Sequence, residues 1–229
     1  RAGRRSASEC RSPTSCARRF PRGWRTRTPF FLGDILSTGY FCAENAGIRP
    51  GDHVAIFGAG PVGLFALQSA HLFGPSRVYV VDRVDYRLKL VEELGGVPVN
   101  LDAGDPVQQR RAQTAWRGPY AVLDCVGQEG PFSQASMAVG PGGTVSSVGI
   151  YVEDAIGFPV REAFFKDLTL RMGICNARNY ITPLMGLVQA GRLSPRRIIT
   201  HTIGLDEAPR GYAIFDKKEE GAIKVMLKP

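Results

Sequence analysis

Histidine is scarce in this 229-residue chain, at three (His53, His71, His201), and the five cysteines (Cys10, Cys16, Cys42, Cys125, Cys175) never form a C-x-x-C pair. Those absences exclude a self-contained zinc motif built from closely spaced ligands, and they argue against a disulfide framework. A reduced, cytoplasmic protein is the expectation. No run reaches the ~18–20 consecutive apolar residues of a membrane-spanning helix, so no membrane role is expected. Lysine is absent from residues 1–30, where nine Arg face one acid, Glu9. Of the chain's 29 basic and 21 acidic residues, this leaves 20 and 20 in residues 31–229, so the net charge of +8 belongs to the leader. Nucleic-acid binding by the body of the chain is therefore not expected.

The leader reads RAGRRSASECRSPTSCARRFPRGWRTRTPF and shows neither helical nor strand periodicity. It is either a disordered basic arm, an Arg- and Ser-rich transit segment, or sequence that is not native protein. A basic arm could also tether nucleic acid, through binding that salt would weaken.

What is present centres on His53 to Asp82. A short apolar run, His53–Phe57, leads into Gly58-Ala59-Gly60-Pro61-Val62-Gly63, a G-x-G-x-x-G. A small-residue apolar run follows from Leu64 to Phe73, then a β-rich run from Arg77 to Val81, ending in Asp82. Strand, glycine turn, helix, strand and acid, in that order, form the pattern of a dinucleotide site. Gly58 permits a sharp turn, Gly60 lets a pyrophosphate approach the backbone, and Gly63 lets the helix pack against the strand. The first helical turn, at Pro61 and Val62, offers unpaired N–H groups to phosphates, Pro61 itself having none. Asp82 can accept from a ribose diol and would repel a 2′-phosphate, which favours NAD over NADP. Arg83 beside it works the other way, since a guanidinium pairs with phosphate.

The rest alternates. Helix is expected over 33–47 and 86–94, strand over 97–101, 120–126 and 144–150, and helix over 132–139. A loose helix is expected within 102–118. Further on, strand is expected over 168–174, helix over 180–191 and over 206–215 with Asp206 as N-cap, and strand over 222–227. Such alternation implies a Rossmann-type, doubly wound parallel sheet with flanking helices in an α/β fold. The expected organisation is a leader (1–30), a nucleotide-binding domain (31–175) and a C-terminal segment (176–229). Cys125 and Cys175 lie in apolar surroundings and read as inert core thiols.

From Phe31 onward the chain resembles the zinc-dependent, medium-chain alcohol dehydrogenases, most closely their formaldehyde and alcohol dehydrogenase-like branch. The motifs that carry the resemblance are Asp34-Ile35-Leu36-Ser37-Thr38-Gly39-Tyr40, the Gly58–Gly63 turn, Asp124-Cys125-Val126-Gly127, Val148-Gly149-Ile150-Tyr151 and the closing Ile223–Pro229. It implies a zinc- and NAD-dependent transfer of hydride between an alcohol or aldehyde and the cofactor. Asp34 stands where the family carries a zinc ligand; read from residue type alone, it is a helix N-cap. The resemblance places Thr38 toward the nicotinamide, Val62 behind its ring, and Val148 and Ile150 at the carboxamide. Arg87 would sit near the adenosine ribose and Lys224 near the pyrophosphate; the alternative for both is a solvated charge.

The family's other catalytic zinc ligands, a Cys and a His followed by Glu, come from an upstream catalytic domain, as does its four-Cys structural zinc loop. No stretch of these residues matches either. One carboxylate cannot hold a catalytic zinc, so the expectation is that this chain alone binds NAD and catalyses nothing. The C-terminal segment would return to the catalytic-domain side, and the edge at Leu168–Ile174 is where the resemblance implies pairing of subunits. Two further readings remain: an inactive nucleotide-binding fragment, and a zinc-independent, quinone oxidoreductase-like reductase, which Asp34 argues against.

Overall fold

The computed structural model describes residues 29–104 and 117–229. The expected leader character, and most of the loose helix expected within 102–118, lie outside those residues. Strands β1 (His53–Phe57), β2 (Arg77–Asp82), β3 (Val97–Asn100), β4 (Ala121–Asp124), β5 (Thr144–Ser147) and β6 (Thr169–Met172) form one sheet. All its pairings are parallel, in the order β3-β2-β1-β4-β5-β6. The chain moves outward from β1 in one direction, then returns to β4 and moves outward in the other. The crevice at the carboxyl ends of β1 and β4 is thus the topological switch point. This is the α/β, doubly wound, Rossmann-like architecture that the alternation implies.

Helices α1 (Pro29–Leu32), α2 (Ile35–Asn45), α3 (Pro61–Ala70), α4 (Asp85–Glu93), α5 (Glu129–Ala138), α6 (Val160–Phe165), α7 (Ala177–Gln189) and α8 (Ala208–Asp216) flank the strands. A second sheet pairs β7 (His201–Gly204) with β8 (Val225–Lys228).

The period-2 geometry of the strands divides the core into two layers. Val54 and Ile56, Val78 and Val80, and Ala121 and Leu123 point to one face, under Leu36, Cys42, Leu64, Phe65, Leu67 and Leu184. Ala55 and Phe57, Tyr79 and Val81, and Val122 and Val145 point to the other, under Ala135, Ala138 and Val139. Two covered faces explain why the strands read as continuous apolar runs. Helix α2 sits close against α3 because Gly39 has no side chain: a Cβ there would lie 2.7 Å from the Ala66 nitrogen.

Several expectations need correction. Strand β5 stops at Ser147, so Val148 and Ile150 lie on the loop beyond it. Asp206 is not an N-cap: Glu207 holds that position before α8, without a capping side-chain bond. Cys175 is half-buried rather than in the core, where burial and the carboxylates of Asp34 and Glu44 push its thiol up to about 11. It is therefore protonated at neutral pH and a weak nucleophile. The Cys125 thiol hydrogen-bonds with Cys42, and that bond and burial hold it well above its ordinary value.

Candidate functional site

The glycine turn works by close approach. Gly58 takes φ +95, in the left-handed region, and its N–H donates to the Val81 carbonyl at 2.8 Å. Gly63 sits against it: a Cβ on Gly63 would overlap the Gly58 carbonyl oxygen. Gly60 is different, because a Cβ there would meet nothing within 4 Å among the described residues. Its missing side chain leaves open space in front of the first turn of α3. The Val62 and Gly63 N–H groups have no recorded acceptor among the described residues. Open space, free N–H donors and the positive end of a helix dipole make an anion site.

Asp82 closes the turn from the next strand. Its Oδ2 accepts from the Ala59 N–H at 2.6 Å, and its Oδ1 from Arg83 N at 2.8 Å and Val84 N at 3.0 Å. The carboxylate is half-buried at the carboxyl end of β2. Arg83 is exposed. Arg87, in the first turn of α4, packs its guanidinium 6.0 Å from the Tyr86 ring centroid, and its buried Nε has no hydrogen-bond partner among the described residues. Tyr86 ties this helix to the C-terminal segment through a 3.1 Å bond to the Ala222 carbonyl. Lys224 follows two residues later, with Nζ 5.9 Å from the Phe30 ring centroid.

On the opposite side, the loops after β4 and β5 interlock. A Cβ on Gly127 or on Gly149 would overlap the backbone of the other loop. A Cβ on Gly58 would lie 2.8 Å from Val126 Cγ2, so the interlocked loops abut the glycine turn. Val148 is half-buried and uses its N–H on the Asp124 carbonyl at 3.0 Å, while Ile150 is 84% exposed. The structure therefore brings together Gly58, Gly60, Pro61, Val62, Gly63 and Asp82 on one side of the crevice mouth, and Val148 and Ile150 on the other.

Thr38 and Asp34 come from α2. The Thr38 hydroxyl donates to the Asp34 carbonyl at 2.9 Å. Asp34 stands at the N-cap position, but its carboxylate makes no capping bond and is exposed. The plain N-cap reading therefore lacks its hydrogen bond, and the carboxylate is free to act elsewhere. A zinc site of the catalytic kind needs three protein ligands. Among the described residues no three His, Cys, Asp or Glu side chains converge to hold a metal ion. Asp34 stands at the position that the sequence reading assigned to a ligand, and the described residues around it do not make a set of three.

Comparisons with known proteins identify the family and support the fold. A family model described as zinc-binding dehydrogenase matches residues 61–190. The chain belongs to the zinc-binding dehydrogenase family. It is 36% identical over 211 residues to a probable zinc-binding alcohol dehydrogenase of Mycobacterium tuberculosis, covering 92% of this chain and 54% of that protein. It is 34% identical to a glutathione-independent formaldehyde dehydrogenase of Bacillus subtilis, covering 86% of this chain and 54% of that protein. Among solved structures, alcohol dehydrogenase TADH from Thermus sp. ATN1 superposes with a TM-score of 0.88 at 42% identity, covering 92% of this chain and 62% of that one. The chain spans little more than half the length of the curated relatives it matches.

One cluster at the site escaped the sequence reading. Asp124, the last residue of β4, is fully buried, and its Oδ2 accepts from Ser147 Oγ at 2.8 Å and Tyr151 Oη at 2.6 Å. Burial, with the bond to Asp124, raises the Tyr151 hydroxyl well above its usual range, and Ser147 opposes that rise in part. The available signal was an acid closing the apolar run Tyr-Ala-Val-Leu-Asp, since a buried carboxylate must find donors.

Proposed function

We propose that this chain is the NAD-binding portion of a zinc-dependent oxidoreductase acting on a small alcohol or aldehyde. The observation that carries the reading is the Asp82 carboxylate reaching back to the Ala59 N–H across an open glycine turn at the switch point of the sheet. The turn would cradle the pyrophosphate, with Gly58, Gly60, Pro61, Val62 and Gly63 in contact. Asp82 would accept from the adenosine ribose, with Arg83 and Arg87 alongside. The cofactor would then run past the turn to the β4 and β5 loops, where Val148 and Ile150 would border the nicotinamide, with Val62 and Thr38 on the α2–α3 side. Lys224 would approach from the C-terminal segment, residues 176–229, which we read as returning toward a catalytic domain. Nicotinamide, when bound, supplies the hydride chemistry; the protein supplies orientation and the electrostatic setting.

Calorimetry on the full chain tests this. NAD is expected to bind at least about tenfold more tightly than NADP. A folded sample that binds neither would overturn the reading. A second reading, a nucleotide-binding fragment without turnover, is favoured by the lack of a three-residue ligand set around Asp34 among the described residues. Turnover by this chain with alcohol, NAD and added zinc would sink that second reading.

We also infer that two copies associate through β6. This edge strand is exposed at all four residues, and Ile150, Val152, Phe164, Phe165 and Ile174, each more than 70% exposed, leave apolar surface open in the segments on either side of it. An uncovered edge with apolar flanks invites pairing. Light scattering should give a dimer's mass; a monomer at tens of micromolar would remove this inference.

A further inference from the structure

The Asp124 cluster has a shape that packing alone does not require. A fully buried carboxylate is costly unless donors surround it. Here Val126 N donates to Oδ1 at 3.0 Å, and the hydroxyls of Ser147 and Tyr151 donate to Oδ2. The two hydroxyl oxygens lie 2.9 Å apart; with one proton each, both already on Asp124, they are held side by side by the shared acceptor rather than by a bond to each other. Tyr151 is anchored by its ring as well, edge-on to Phe132 with centroids 5.9 Å apart. Asp124 ends β4, and its two hydroxyl donors bracket the loop after β5: Ser147 ends the strand, Tyr151 closes the loop, and Val148, Gly149 and Ile150 are held between.

That loop lies on the side of the glycine turn away from Asp82. A dinucleotide with one ribose at Asp82 and its pyrophosphate at the turn must carry its second nucleoside toward β4 and β5. We propose that Asp124, Ser147 and Tyr151 form a positioning clasp that fixes the Val148–Ile150 loop in the shape that receives the nicotinamide nucleoside. The proposal rests on the cofactor reading above. The clasp touches neither pyrophosphate nor adenosine, so its effect is confined to one half of the ligand.

Tyr151→Phe is the chosen variant, because it keeps the ring on Phe132 and removes only the hydroxyl. The probes are NADH and ADP-ribose, which lacks the nicotinamide, each titrated into the full chain by calorimetry. NADH should bind the parent chain more tightly than ADP-ribose. In Tyr151→Phe, NADH affinity should fall about five- to tenfold, with ADP-ribose affinity unchanged within about twofold. The fluorescence gain of NADH on binding should shrink in parallel. Ser147→Ala should reproduce the pattern more weakly, with the thermal midpoint of both variants recorded as a check on folding.

Equal NADH affinity in parent and Tyr151→Phe would overturn the clasp. So would an equal loss for both ligands, which would mark a general structural role. So would a parent chain that binds NADH no better than ADP-ribose. A folded parent that binds neither ligand would overturn the cofactor reading itself and the clasp with it.

Discussion

Replacing Gly63 by alanine is expected to destabilise the fold by about 3 kcal/mol and to abolish dinucleotide binding. The added Cβ would overlap the Gly58 carbonyl oxygen, a backbone atom that cannot swing aside as a side-chain tip can. Gly58 is fixed in turn, by its φ of +95 and its bond to Val81. The collision can be relieved only by lifting α3 off β1 or by opening the turn. Lifting the helix strips contacts from Leu64, Phe65 and Leu67, all fully buried. For a chain of this size the loss should lower the thermal midpoint by roughly 6–12 °C.

Gly60→Ala is the matched control. Gly60 has extended backbone, φ −69 and ψ 179, which alanine adopts without strain. Its Cβ would meet no described protein atom within 4 Å. The fold should therefore be indifferent, with a midpoint shift of about 1 °C or less, while affinity for NAD falls tenfold or more, because the methyl group enters space that the pyrophosphate needs. Two glycines three residues apart are thus expected to separate: one serves the fold, the other the ligand. Equal stability losses in both variants would contradict this division.

That division also indicates what a sequence can reveal about such a site. The strand, turn, helix and acid were legible because each rests on local rules: glycine where the backbone must bend, period-2 apolar runs in strands, an acid at a strand end. The parallel, doubly wound sheet was legible too, because strands that alternate with helices are joined by crossovers and so run parallel. The Asp124 clasp was not, because its members are separated by 23 and 27 positions and meet only after β4 and β5 pair. Helix α6 carries no buried residue, so it left no apolar face to read. Asp206 failed as an N-cap for a related reason. Proline at a first helical turn sets the start of α8 by its own fixed φ, and the cap moved to Glu207.

Asp82→Asn is expected to bring NAD and NADP affinities together by roughly ten- to a hundredfold. A phosphate about 4 Å from a carboxylate near a protein surface is repelled by about 4 kcal/mol before screening. Exposure and counter-ions reduce this, and a residual 1.4–2.8 kcal/mol corresponds to about one to two powers of ten. Asparagine removes the charge and keeps the shape. Its single acceptor oxygen cannot serve both Ala59 N on one side and Arg83 N and Val84 N on the other, so one side must face an amide donor. The variant should therefore also lose about 1–3 kcal/mol of stability. Asp82→Gly should relax the preference as well, but it forfeits every acceptor that holds the turn, so a loss of both ligands there would be ambiguous. With Asp82→Asn the two effects have separate readouts: a lowered thermal midpoint reports the turn, and the NAD-to-NADP affinity ratio reports the ribose. Arg83 and the unpartnered Nε of Arg87 stand on the same side and would meet a 2′-phosphate once the carboxylate's charge is gone. NADP affinity should therefore rise in absolute terms, beyond a mere fall in NAD affinity. An unchanged ratio in a folded Asp82→Asn chain would remove Asp82 from the ribose and leave it as the clamp that closes the glycine turn.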